Sequence, residues 1–291
     1  MRRVAVVLCV AGLVIAPAAS AAQLERPVTR GSTYLALGDS VSFGYRPAGS
    51  APAPDYTRPS SFRGWPELAA HALRLRLVNA SCPGETSASL IDRHATSFGC
   101  ENTAGNPNIS YRRVFPLHTK YSGSQLSFAL RFLRSHKRTR LVTLMVGAND
   151  LLLCRSTTAD ACTGAAERQA VIRKIARNAR RIVSRIRRKA GYRGQIVLMK
   201  YYSPDYDNAL ITGVTRTLNV AEFDSTKAFG VHLADGFGEW RAASRQSGND
   251  PCRAGLLIQV GSSGRCDLHP SRAGQAVLAL ALTRALRFPP R

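Results

Sequence analysis

The sequence has no apolar stretch of the roughly 20 residues that a membrane-spanning helix needs; the apolar run from Val4 to Ala16 falls short of that length. No internal repeat is present and no linker divides the chain, which argues against an array of small modules. There is no Cys-x-x-Cys pair, and no regularly spaced histidine stands beside a cysteine, so a structural zinc site is not expected. Acid is scarce, with 18 Asp and Glu against 41 Lys and Arg, a formal net charge of +23. A field of that sign draws a protein toward anionic surfaces such as acidic polysaccharide, phospholipid headgroups or nucleic acid. The densest basic stretch, Arg168 to Lys189, lacks the interleaved aromatics that stack on bases, and no nucleic-acid motif occurs. It carries Val171, Ile172, Ile175, Ala179, Ile182, Val183 and Ile186 at helical spacing instead, the pattern of an amphipathic helix with arginines on its solvated side. Nucleic acid is therefore not an expected partner, whereas electrostatic association with an anionic cell envelope is.

The first 22 residues read as a secretory signal peptide. Arg2 and Arg3 precede the apolar run, and Ala19, Ser20 and Ala21 supply the small residues of a cleavage site. Cys9 lies inside that leader. Residues 23–291 are expected to form one α/β domain large enough for a well-buried core. The six remaining cysteines are an even number in a chain expected to be exported, which points to disulfides. Sequence neighbours are the expected pairs: Cys82 with Cys100, Cys154 with Cys162, and Cys252 with Cys266.

Apolar runs predict buried strands at Thr33 to Leu37, Leu75 to Val78, Leu141 to Val146, Gln195 to Met199 and Val231 to Ala234. Helical patterns lie between and after them, at Trp65 to Leu75, Ser124 to Ser135, Arg168 to Ala190, Val214 to Gly230 and Ser271 to Leu286. Such alternation predicts a parallel sheet covered on both faces. In such sheets, sites form where loops leave the carboxyl ends of the strands. Two long irregular segments, Tyr45 to Gly64 and Gly99 to Gly123, are expected to form functional rims or covers.

Four positions stand out. Ser40 follows the first strand in Gly38-Asp39-Ser40, where glycine permits a tight turn that leaves the hydroxyl at the strand end. Such a triplet is also an ordinary turn or helix cap. Gly84, in the block Asn79 to Thr86, offers a backbone N–H with no side chain in the way, or is a plain turn glycine. Asn149, in Gly147-Ala148-Asn149-Asp150, carries an amide able to hold an oxyanion, or is a left-handed loop residue. His269 precedes Pro270, which biases it away from helix and into a loop beside Asp267, a setting for a general base. His71, His94, His118, His136 and His232 lack such a setting and read as structural or surface residues.

Taken in order, Ala36 to Ser40, Asn79 to Ser87, Gly147 to Asp150, and Asp267 to Pro270 with Ala273-Gly274 resemble the blocks of the GDSL, or SGNH, hydrolase family. The resemblance runs from about Thr33 to the end of the chain. It implies a flavodoxin-like three-layer α/β/α sandwich with a central parallel sheet, and hydrolysis of carboxylic esters through an acyl-enzyme. Ser40 is then the nucleophile and His269 the base, with Ser40, Gly84 and Asn149 donating to the oxyanion. Asp39 and Asp150 become structural acids that bind nearby backbone N–H groups. No metal or organic cofactor is implied, the partner is a small-molecule or lipid ester, and a monomer is expected.

One position departs from the family pattern. The acid usually stands three residues before the histidine, where this chain has Cys266, a residue that cannot act as an acid if it is disulfide-bonded. Asp267 is left as the candidate third member of the triad, with a backbone carbonyl near residues 265–267 as the alternative. Within ester hydrolases, a polysaccharide deacetylase or a phospholipase are the other readings; a non-catalytic envelope binder that keeps the fold stands outside them.

Overall fold

A computed structural model describes residues 25–106, 110–261 and 264–289. The expected signal peptide, residues 1–22 with Cys9, lies outside the described residues. Five strands, β1 (Thr33–Gly38), β2 (Arg76–Asn79), β3 (Thr139–Met145), β4 (Gln195–Met199) and β5 (Val231–Ala234), form a parallel sheet in the order β2-β1-β3-β4-β5. Nine α-helices accompany them among the described residues: α1 (Ser40–Phe43), α2 (Trp65–Leu73), α3 (Tyr111–Val114), α4 (Gln125–Ser135), α5 (Ala148–Thr157), α6 (Ala165–Lys189), α7 (Ala209–Thr226), α8 (Gly236–Ser244) and α9 (Arg272–Ala285).

The strands read as apolar runs because helices cover both faces of the sheet. Side chains alternate across a strand, so β1 sends Tyr34 and Ala36 to one core, with Met145, Met199, Trp65 of α2 and Leu278 and Leu282 of α9. It sends Leu35 and Leu37 to the other, with Val142, Leu144, Leu126 of α4 and Ile182 and Ile186 of α6. The result is the expected three-layer arrangement, an α/β fold consistent with SGNH hydrolases. Helix α6 buries every apolar position expected of it except Val171, which is half-buried. Arg187 of the same helix binds the carbonyls of Phe229 (3.0 Å), Gly230 (3.0 Å) and Gly194 (2.5 Å), so part of the basic stretch holds loops in place.

The strand order reverses direction between β1 and β3, and the crevice beyond the carboxyl ends of these two strands is where a ligand site forms in such a sheet. Both long irregular segments pack there. Phe43, Phe62, Leu117 and the Cys82–Cys100 disulfide make a third, smaller core, with Tyr45, Tyr56 and Tyr111 against it. The three disulfides join Cys82 to Cys100, Cys154 to Cys162 and Cys252 to Cys266, the pairing of sequence neighbours.

Several elements differ from the expectations. Helix α7 begins at Ala209, five residues before the expected Val214, because Asn208 caps it by accepting from Ile211 N at 3.0 Å. Helices α5 and α8 carry no clear amphipathic pattern in the sequence. The expected loop around His269 is instead a strand, β7 (Cys266–Pro270), paired antiparallel with β6 (Leu257–Gln259). Pro270 does keep His269 out of helix, and the extended backbone that remains finds a partner strand.

Candidate active site

Strand β1 ends in a turn that only glycine fits. Gly38 has φ +151°, and a Cβ there would lie 2.5 Å from Met145 O. Gln125 of α4 clamps the same peptide on both sides, its Oε1 accepting from Gly38 N at 3.0 Å and its Nε2 donating to Gly38 O at 2.8 Å. Asp39 then caps α1 by accepting from Val41 N at 3.0 Å, and its other carboxylate oxygen accepts from the Tyr201 hydroxyl. Burial pushes the Asp39 carboxyl up to about 6, against the pull of these hydrogen bonds. Ser40 is left as the first helical residue, 9% exposed, with its hydroxyl at the floor of a cleft of about 800 Å³.

His269 reaches that hydroxyl from β7, with Nε2 2.9 Å from Ser40 Oγ. Its Nδ1 hydrogen-bonds Asp267 Oδ1, and the same oxygen accepts from His269 N at 2.9 Å. Burial alone would raise the Asp267 carboxyl, but the hydrogen bonds and charge of His269 outweigh it and hold the group below its ordinary value. The peptide between them is fixed as well: the Tyr202 hydroxyl donates to Leu268 O at 2.5 Å, and the Tyr202 ring stacks on buried Trp240 at 3.7 Å. The Cys252–Cys266 disulfide anchors the start of the strand.

The opposite wall comes from the loops after β2 and β3. Gly84 adopts φ +79°, and a Cβ there would meet Phe98 O at 2.4 Å. Asn149, near the start of α5, is buried and donates one amide hydrogen to Glu85 O at 3.0 Å. A carboxamide has two N–H donors, so the second remains for a ligand. Among the described residues, neither Ser40 N–H nor Gly84 N–H has an acceptor. Asp150 accepts from Ser87 N and Ser87 Oγ, each at 2.7 Å, and so ties the β3 loop to the β2 loop. Ser40, Gly84, Asn149 and His269 thus line one cleft.

The remaining histidines are engaged elsewhere or exposed: His118 meets Phe43 O at 2.9 Å, His232 meets Glu25 at 2.5 Å, and His71, His94 and His136 face solvent. Tyr201, Tyr202 and Gln125 were not singled out in the sequence, although the two tyrosines follow β4 and so occupy the kind of position the strand-end rule marks. Among the described residues two groupings of acid and cysteine occur, Cys82 with Glu85 and Cys100, and Cys154 with Cys162 and Glu167. All four cysteines are disulfide-bonded and have no thiolate to offer a metal.

Several solved structures share this fold. Phospholipase A1 from Streptomyces albidoflavus NA297 superposes with a TM-score of 0.55 at 19% identity, covering 88% of this chain and 99% of its own. An extracellular lipase from Streptomyces rimosus gives 0.55 at 18% identity, covering 88% and 100%. A catalytic mutant of an acetylxylan esterase from Geobacillus stearothermophilus gives 0.52 at 16% identity, covering 91% and 98%. At these identities the likeness is one of fold. No curated protein sequence matches the chain. Residues 36–277, however, match the family described as GDSL-like lipase/acylhydrolase, a span that contains Ser40, Gly84, Asn149 and His269. The chain therefore belongs to the GDSL-like lipase/acylhydrolase family.

Proposed function

We propose that the chain is an exported serine hydrolase that cleaves carboxylic esters through an acyl-enzyme on Ser40. The observation that carries this reading is the unbroken run of contacts from Ser40 Oγ to His269 Nε2 at 2.9 Å and from His269 Nδ1 to Asp267. Ser40 Oγ attacks the ester carbonyl while His269 takes its proton, and Asp267 holds the imidazole in the tautomer that can accept it. The charge that forms on the carbonyl oxygen is held by Ser40 N–H, Gly84 N–H and the second Asn149 amide hydrogen. Collapse of the tetrahedral intermediate expels the alcohol, which leaves with the proton from His269. Water then attacks the acyl group, gives a proton to the same imidazole, and releases the acid as Ser40 regains its hydrogen.

The cleft favours an acyl chain over a bare acetyl group, because Leu151, Leu210, Ile211, Val214 and Leu218 line it. That apolar lining supports a lipase or phospholipase over a polysaccharide deacetylase. Three disulfides and the leader-like first 22 residues support export, and the strongly positive charge, +23 for the full sequence and +21 (23 − 2) without Arg2 and Arg3 of the leader, supports docking on an anionic envelope. No helix among the described residues is long and apolar enough to cross a membrane.

A fluorophosphonate probe tests the reading directly. Wild-type protein should be labelled at Ser40, the Ser40→Ala variant should not, and wild-type protein should hydrolyse p-nitrophenyl butyrate. Labelling at another residue would overturn Ser40 as the nucleophile, and no labelling with intact folding would favour the envelope-binder reading.

A further inference from the structure

Beyond Ser40, Asn149 and His269, the cleft is lined mostly by apolar groups. Among the described residues its lining includes one carboxylate, Asp39, which is buried and already bound to Val41 N and Tyr201. Two guanidiniums, those of Arg155 and Arg168, also line it. Both belong to the corner closed by the Cys154–Cys162 disulfide. Arg155 follows Cys154 in the last turn of α5, and Arg168 donates to Cys162 O at 3.2 Å and to Thr163 O. Arg168 is therefore spent on the loop. Arg155 is exposed and has no hydrogen-bond or ion-pair partner among the described residues. The acid inside the same loop, Asp160, accepts from Cys162 N and Gly164 N and is turned into its own backbone.

Arg155 also stands in a fixed relation to the chemistry. It lies six residues after Asn149 on one helix, about 9 Å along the axis at 1.5 Å per residue. Asn149 is pinned by Glu85 O and the helix end by the disulfide, so this spacing is built in. Among the apolar residues lining the same cleft, Leu210, Ile211 and Leu268 are 53%, 37% and 47% exposed. A ligand that satisfies both kinds of group has an alkyl arm and an anionic group several atoms from the reacting carbonyl.

We infer that Arg155 forms a subsite for the anionic group of an amphiphilic ester, so that the substrate carries an acyl chain and a phosphate-type anion on the alcohol side. This rests on the ester-hydrolase reading above and narrows it. A guanidinium suits such a group because its planar array of donors matches phosphate oxygens two at a time.

Two measurements test it. In the first, octyl phosphate, 1-octanol and inorganic phosphate are each titrated calorimetrically into full-length Ser40→Ala protein. Octyl phosphate should bind at least ~10-fold more tightly than 1-octanol, the scale of one charge-assisted contact. Adding Arg155→Gln should abolish that preference, and Arg155→Lys should keep part of it. Inorganic phosphate bound as tightly as octyl phosphate would overturn the lipid assignment, and equal binding of octyl phosphate and 1-octanol would overturn the subsite. In the second, protein with Ser40 intact acts on dihexanoyl phosphatidic acid and dihexanoylglycerol below their aggregation limits. Arg155→Gln should lower the ratio of kcat/KM for the first over the second by ~10-fold, chiefly through KM; an unchanged ratio would overturn the proposal. Binding as expected with neither ester hydrolysed would uphold the subsite and defeat the ester-hydrolase reading instead.

Discussion

Asp267 and His269 share a side-chain hydrogen bond although only Leu268 separates them. The reason is the strand. In extended backbone, residues i and i+2 project from the same face, so an acid two positions before the histidine meets Nδ1. The Leu268 carbonyl is taken by Tyr202, and the carboxylate is the group that contacts the imidazole. Replacing Asp267 with alanine should lower kcat by about 10³-fold or more, because an unoriented imidazole loses its tautomer and its charge partner together. Steady-state kinetics on p-nitrophenyl butyrate would show this. A loss below about tenfold would return the orienting role to a backbone carbonyl.

Asn149 offers one amide hydrogen to Glu85 O and has a second left over in the cleft. Asn149→Ala should reduce kcat by about 100- to 1000-fold, the usual effect of losing one oxyanion donor, with KM little changed. If KM rises and kcat holds, the amide binds ground-state substrate rather than the tetrahedral intermediate.

Gly84 has no room for a methyl group. Its φ of +79° is strained for other residues, and the atoms a Cβ would meet, Phe98 O at 2.4 Å and Phe98 C at 2.7 Å, are backbone. Gly84→Ala should cost about 2 kcal/mol of stability or more and should also depress kcat/KM, since the loop that carries the N–H must move. Thermal melting and kinetics on one preparation would test both; an unchanged melting temperature would contradict the packing described.

Glu85 sits buried beneath the site, accepting from Gln125 Nε2 at 2.6 Å and from Ser89 Oγ. Burial pushes its carboxyl from 4.5 up to about 8, against the opposing pull of those hydrogen bonds. Between these values the unfolded chain releases its proton while the folded chain keeps it. The folded state then holds more protons, so stability falls as pH rises, by up to ~1.4 kcal/mol per unit from this group. Glu85→Gln has no proton to release. Its stability in urea should fall less than wild type between pH 5 and pH 8, and parallel losses in the two proteins would refute the assignment.

Strands β1, β3 and β4 were legible because a parallel sheet buried on both faces turns a strand into an apolar run, as TYLAL and QIVLM show. Ser40 and Asn149 were legible because each follows such a run. Helix α5 was not: its Leu151, Leu152 and Leu153 are contiguous rather than spaced, and what fixes it is the contact of Asn149 and Asp150 with loops far away in sequence. Helix α8 hides behind Gly236 and Gly238 and is started by Asp235, which accepts from Gly238 N at 3.1 Å. The partnership of Asp267 with His269 depends on an extended backbone, and that comes from pairing with Leu257–Gln259, a partner strand with no signal of its own beyond three residues.

Helix α9, which follows His269 directly, also grips the segment that follows Ser40: Gln275 is buried, accepts from Trp65 N at 2.8 Å and donates to Val41 O at 3.2 Å. Ser40 and His269 therefore hang from opposite ends of one short mechanical link. Loosening that C-terminal helix would slacken both anchors at once, well before the sheet beneath lost its core. Heat should silence this enzyme while most of its circular dichroism is still intact.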